Sequence, residues 1–123
     1  MIHFLKSLHY AWQGFSLALR EQRNCRIHLA VALLVIACSL FLQISLVEWC
    51  IVLICIGSVI SAELFNSAVE KLVDLVSPDW NKKAGEIKDM SAATVLMLAI
   101  TAAIVGGLIF GRHLFFAPSA LFR

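Results

Sequence analysis

Charge is scarce in this chain. Asp, Glu, Lys and Arg make up 15% of its 123 residues, and the net charge is only +2. So small an excess argues against a nucleic-acid surface, which needs a clustered basic patch. Cysteine pairs at metal or redox spacing are also absent. Cys25, Cys38, Cys50 and Cys55 form no CxxC and read as small buried hydrophobes. There is no Walker A loop, no GxGxxG fingerprint, no HExxH and no kinase-type glycine-rich loop. The usual phosphate cradles and catalytic zinc sites are therefore excluded, and nucleotide chemistry would need an unrelated site. No cleavable signal peptide is expected, because polar residues interrupt the N-terminus at short intervals.

What is abundant is apolar surface: 61% of the residues are hydrophobic, against about 45–50% in a soluble domain. The excess lies in runs 27–46, 49–76 and 92–110, each long enough for the roughly 20 residues a spanning helix needs. The expectation is an all-α integral membrane protein, one domain over 1–123 with three transmembrane helices. Lys6, Arg20, Arg23 and Arg26 precede the first run, and Lys71, Lys82, Lys83 and Lys88 end or follow the second. The link near 43–48 has no Lys or Arg. The positive-inside rule puts the N-terminus and the 77–91 loop in the cytoplasm, as a multi-pass protein of the inner membrane. Arg112 and Arg123 are a modest contrary signal in an exposed end over 112–123. Three short spans offer little internal interface, so copies of the chain are expected to associate.

Ahead of the spans, Leu5, Leu8, Trp12, Phe15 and Leu19 recur at three- and four-residue steps. That predicts an amphipathic interfacial helix over 2–22. Its polar side can also roof a site, with Tyr10 and Gly14 as contact points. The cluster REQRNCRIH at 20–28 reads as topology-fixing charge, or as a place where arginines help Glu21 hold a metal. His28 reads as an interfacial side chain. Trp49 takes the aromatic-belt position. Pro78 is a good helix starter, and 79–91 reads as a short amphipathic or loop segment. The Ala, Gly and Thr of the third run suit close helix packing.

The chain is organised around ELFNSAVEKLVD, residues 63–74, which follows an uncharged run from Trp49. At 100° per residue, Glu63, Asn66, Ser67, Glu70 and Asp74 share one wedge about 100° wide. Glu63 lies about 21 Å past Trp49 along a helix, inside a hydrocarbon core about 30 Å thick. Glu70 lies about 10 Å further, at the boundary. Carboxylates so placed are costly and usually functional. Phosphoryl transfer asks for a metal on the phosphates, a cation on developing charge and a base for the acceptor hydroxyl. Glu70 and Glu21 can hold Mg²⁺, Lys88 can steady a phosphate, Glu63 can take a hydroxyl proton, and Asn66 can orient the hydroxyl. The same spacing suits a small homo-oligomeric proton-coupled transporter with Glu63 as its proton site.

The stretch ELFNSAVEKLVD, with KDMSAATVL after it, resembles the prokaryotic diacylglycerol kinase family, whose pattern runs E-x-x-N-[ST]-A-[IV]-E-x-x-V-D and then K-D-x-x-[AS]-A-x-[VT]-L. RNCRIH and the Ser77-Pro78 step are more similar to its undecaprenol kinase branch. The resemblance runs over residues 3–110. It implies a homotrimeric helical bundle of three-span subunits. It also implies transfer of the γ-phosphate of Mg-ATP to a membrane lipid alcohol, undecaprenol or diacylglycerol, at the cytoplasmic face. Carried over by position, Glu63 matches the catalytic base, Asn66 the amide beside it, and Glu70 a metal-binding glutamate. Lys88 and Asp89 match nucleotide contacts, Tyr10 a bordering aromatic, and Asp79, Trp80 and Asn81 a flanking loop. The family's second metal-binding glutamate falls at Gln22, next to Glu21. Either Glu21 takes the metal after a small helix rotation, or the Gln22 amide serves. A family arginine falls at His3.

Overall fold

The structure, a computed structural model, describes residues 1–116. The expected end over 112–123, with Arg123, therefore lies mostly outside the described residues. Four α-helices follow one another: α1 (Ile2–Glu21), α2 (Arg23–Leu42), α3 (Leu46–Val76) and α4 (Lys82–Gly111), ending in a π-helical turn (Arg112–Phe116). Three helical stretches, starting at Arg23, Leu46 and Lys82, are long and apolar enough to cross a membrane.

The breaks have local causes. Gln22 alone is extended, with φ −105° and ψ 112°, and separates α1 from α2. Arg26 then reaches back across the break. Its guanidinium donates to the carbonyls of Leu19 and Arg20, both at 2.9 Å. These are orphan acceptors of a helix C-terminus, where a cation is favoured. Arg26 is thus a cap as well as a topology signal. Arg26→Ala is expected to loosen the last turn of α1 by about 1 kcal/mol, seen as roughly fivefold faster amide exchange at residues 18–22 with α3 unaffected.

At the opposite end α2 stops at Gln43, which adopts the left-handed conformation (φ 51°) while Ile44 N–H bonds back to Ser39 O. Ser45 then starts α3 with a capping box. Its hydroxyl accepts from Glu48 N–H, and its own N–H donates to the Glu48 carboxylate at 2.8 Å. The same carboxylate lies 2.9 Å from His113 Nε2 and 3.8 Å from Arg112. The π-helical turn, largely exposed as the sequence suggested, is therefore also tied to the start of α3. Ile44, Val52 and Ile109 pack beside it, with Trp49 against them.

α4 starts at Lys82, ten residues before its apolar run, because the Asn81 side chain accepts from Ala84 N–H and caps it. The 79–91 segment is thus mostly helix. At 1.5 Å per residue, α3 and α4 are each about 45 Å long, against a hydrocarbon core of about 30 Å. They pack along each other, and their charged ends project together as a rim beyond the apolar part. α2 lies against α3 through Cys25, Ala32 and Ser39 (buried) with His28 and Val35 between them. That is a stripe at three- and four-residue steps. Gly14 has no atom within 4 Å of where a Cβ would lie, so it mediates no close approach within this chain.

Candidate active site

The wedge expected on α3 divides by depth. Glu63, Asn66 and Ser67 are buried at 2%, 5% and 4% exposure, Glu70 is half-buried, and Asp74 is exposed. The buried part continues the stripe by which α3 packs, which runs through Val52 and Val59. Ser67 has a local role: its hydroxyl donates to Glu63 O at 2.8 Å and closes a bond within the helix.

Glu63 faces α2. His28 Nε2 lies 3.9 Å from its Oε2, and Cys25 is buried one turn earlier on the same stripe. His28 therefore points inward and does not sit at the lipid interface as its position suggested. It also forms one end of an apolar groove of about 310 Å³ between α2, α3 and α4, walled by Val31, Val52, Ile60, Ala103 and Phe110.

Asn66 lies between the two glutamates. Its Nδ2 donates to Glu70 Oε1 at 3.4 Å, while its Oδ1 is buried without a partner. Buried acceptors are seldom left so. Oδ1 and the Glu70 carboxylate are hard oxygen donors, the kind Mg²⁺ takes alongside phosphate oxygens and water. The Glu70 carboxylate fits such an ion, and Asn66 Oδ1 would join it once the amide turns over, since Nδ2 now faces Glu70. Among the described residues no group of three or more His, Cys, Asp or Glu side chains converges, so phosphate and water would complete its shell.

Both lysines of the rim are held by carboxylates. Lys71 pairs with Glu21, and Lys88 with Asp74. Each pair is about half exposed, and in water such pairs are worth about 0–1 kcal/mol. Glu21, one of the two candidates for the second metal contact, is thus occupied by Lys71, and Gln22 forms the helix break. Asp79, Trp80 and Asp89 are exposed, and Asn81 is committed to capping α4. Tyr10 is exposed on α1, with His9 its aromatic neighbour. The structure brings Glu63, Asn66 and Glu70 onto one face and places Lys88 beside Asp74, one turn further. It does not bring Tyr10, Asp79 or Trp80 to that face.

The arrangement offers a buried carboxylate one turn beyond the end of an apolar groove, further side-chain oxygens one and two turns past it, and half-exposed ammonium groups at the rim. The sequence pattern of the family described as prokaryotic diacylglycerol kinase matches residues 9–110. An undecaprenol kinase of Bacillus subtilis is 36% identical over 107 residues, 87% of each chain. A diacylglycerol kinase of Synechocystis is 38% identical over 106 residues, 85% of this chain and 61% of that one. The diacylglycerol kinase of Escherichia coli K12 is 26% identical over 109 residues, 89% of each.

Proposed function

This chain belongs to the prokaryotic diacylglycerol kinase family and is a lipid kinase, and we propose that it phosphorylates the hydroxyl of undecaprenol in preference to diacylglycerol, at the cytoplasmic face of the inner membrane. Family membership favours this over the transporter. The observation that carries the reading is the burial of Glu63 beside an apolar groove, with Asn66 and Glu70 leading from it toward the charged rim. A lipid hydroxyl arrives from the bilayer side and ATP from the rim. The similarity to the undecaprenol kinase of Bacillus subtilis over 87% of both chains supports the choice of acceptor, against a diacylglycerol kinase of Synechocystis that is 38% identical but matched over 61% of its own length.

Glu63 accepts the hydroxyl proton. Its burial keeps bulk water from competing for the site. Asn66 steadies Glu70 through Nδ2 and presents Oδ1 to the incoming substrates. Glu70 would hold Mg²⁺, with Glu21 as a second donor once Lys71 turns to phosphate, or the Gln22 amide in its place. Bound there, the ion would supply charge neutralisation for the phosphate chain. Lys88, released from Asp74, binds the transferring phosphate as a point charge. Asp89, Asp79, Trp80, Asn81 and Tyr10 border the nucleotide, which needs α1 and the α3–α4 link to close over it. Three copies supply that closure in a homotrimer.

The test is phosphate transfer from labelled ATP in mixed micelles. Expected are lipid phosphate only with Mg²⁺ present, and a kcat/KM at least tenfold higher for undecaprenol than for diacylglycerol. Equal or reversed preference would remove the acceptor assignment, and no lipid phosphate from either would remove the reading.

A further inference from the structure

His28 and Glu63 face each other from different helices with 3.9 Å between Nε2 and Oε2. That gap is too long for a direct hydrogen bond, and it suits one oxygen lying between the two atoms. An oxygen about 2.8 Å from each would see them at about a right angle, which a hydroxyl tolerates. The gap also has a direction. His28 ends the apolar groove between α2 and α4, and it is the one polar side chain among that groove's lining residues. A molecule with an apolar tail and a terminal hydroxyl fits this shape, tail along Val31, Val52 and Ile60, hydroxyl at the imidazole. The inward stripe through Cys25, Ala32 and Ser39 fixes the side of α2 on which His28 stands.

The geometry points to His28 as a second catalytic contact to the reacting hydroxyl, its Nε2–H donating to the acceptor oxygen while Glu63 takes that oxygen's proton. The inference rests on Glu63 as the proton acceptor. In the transfer the acceptor O–H bond breaks and its proton passes to the Glu63 carboxylate. The freed electron pair forms the bond to the γ-phosphorus. The bond from that phosphorus to the β–γ bridging oxygen breaks, and its pair leaves on ADP. His28 keeps its proton throughout. By occupying one lone pair it aims the other at the phosphate. This contact also selects the ligand class, because a hydroxyl can both accept from an N–H and donate to a carboxylate, whereas an ester or ether oxygen cannot donate.

The test uses the full chain in mixed micelles, with the lipid alcohol that the unaltered protein phosphorylates. His28→Phe keeps ring volume and removes the donor. His28→Gln keeps an amide N–H near the position of Nε2. His28→Phe is expected to lower kcat/KM for the lipid alcohol about 10- to 100-fold, with KM for ATP changed less than twofold. His28→Gln is expected to recover to within about fivefold of the unaltered protein. Helical content and elution volume of both variants should match it. A fully active Phe variant, a Gln variant as poor as Phe, or a loss confined to KM for ATP would each overturn the assignment. Glu63→Gln in the same assay separates the two readings. If it is inactive while His28→Phe is fully active, only the His28 contact falls. If Glu63→Gln is itself fully active, the proton acceptor has been misassigned as well.

Discussion

Glu63→Gln should give a folded, membrane-inserted protein whose turnover is reduced by about 10²–10⁴-fold, the usual contribution of a positioned general base. The substitution keeps the volume of the side chain and removes only its capacity to take a proton. The fold leans little on the charge, whose one ionic neighbour within the chain's described residues, His28, stands 3.9 Å away. α3 is held at this level by packing through Val59 and by the Ser67 hydroxyl on the Glu63 carbonyl, which is main chain and survives the change. Removing a charge from a site 2% exposed also removes a desolvation cost, so thermal stability should rise or stay level. Activity therefore falls without a fall in stability, which loss through misfolding cannot imitate. KM for ATP is expected to stay within threefold, because the nucleotide is bound beyond Glu70. The check is kcat for lipid phosphate beside a thermal melt in the same detergent. A variant keeping most of its turnover would assign the proton to another group.

The helices and the α3 stripe were legible because a membrane-grade run leaves few explanations for a carboxylate. Once Trp49 to Ala62 carries no charge, depth along the helix follows from rise per residue alone, and Glu63 and Glu70 fall at different levels. The start of α4 was not legible. Lys82, Lys83 and Lys88 left 79–91 open between an amphipathic segment and a loop, while the deciding signal was the Asn81 cap. Long-range pairing was the larger loss. Glu21 with Lys71 and Glu48 with His113 are 50 and 65 residues apart, and each residue looks ordinary in its own window. His28 lies between these cases. Its place at the start of a span suggested the interface. The small residues at Cys25, Ala32 and Ser39, spaced seven apart, marked the face of α2 that packs inward, and His28 lies on it. That spacing was a readable signal. Tyr10 entered as a contact point on the polar side of the amphipathic helix, and the 79–81 stretch through family resemblance, and nothing within a single chain draws either toward Glu70.

Glu70→Gln is expected to act at the other end of the site, through magnesium and not through the lipid. The change keeps the hydrogen bond that Asn66 can make to a side-chain oxygen, and it removes the formal charge that a divalent ion seeks. Half-buried at the rim, Glu70 is shielded less by other donors than a residue in a full carboxylate cage, since Asn66 Oδ1 is the neighbouring acceptor and is neutral. Loss of a coordinating charge should exceed the 10–100-fold typical of an outer partner. The Mg²⁺ concentration for half-maximal rate should then rise by at least about 100-fold, with KM for the lipid alcohol unchanged. Asn66→Ala should give the smaller effect, about 10–100-fold, because it frees the Glu70 carboxylate without discharging it. Titrating Mg²⁺ against rate at fixed ATP and fixed lipid separates the two variants. The order matters more than the size: if Asn66→Ala weakens magnesium more than Glu70→Gln does, the amide oxygen is the principal donor and Glu70 serves to orient it. If neither variant moves the magnesium titration, the ion is held elsewhere, with Glu21 beside Lys71 as the next carboxylate to change.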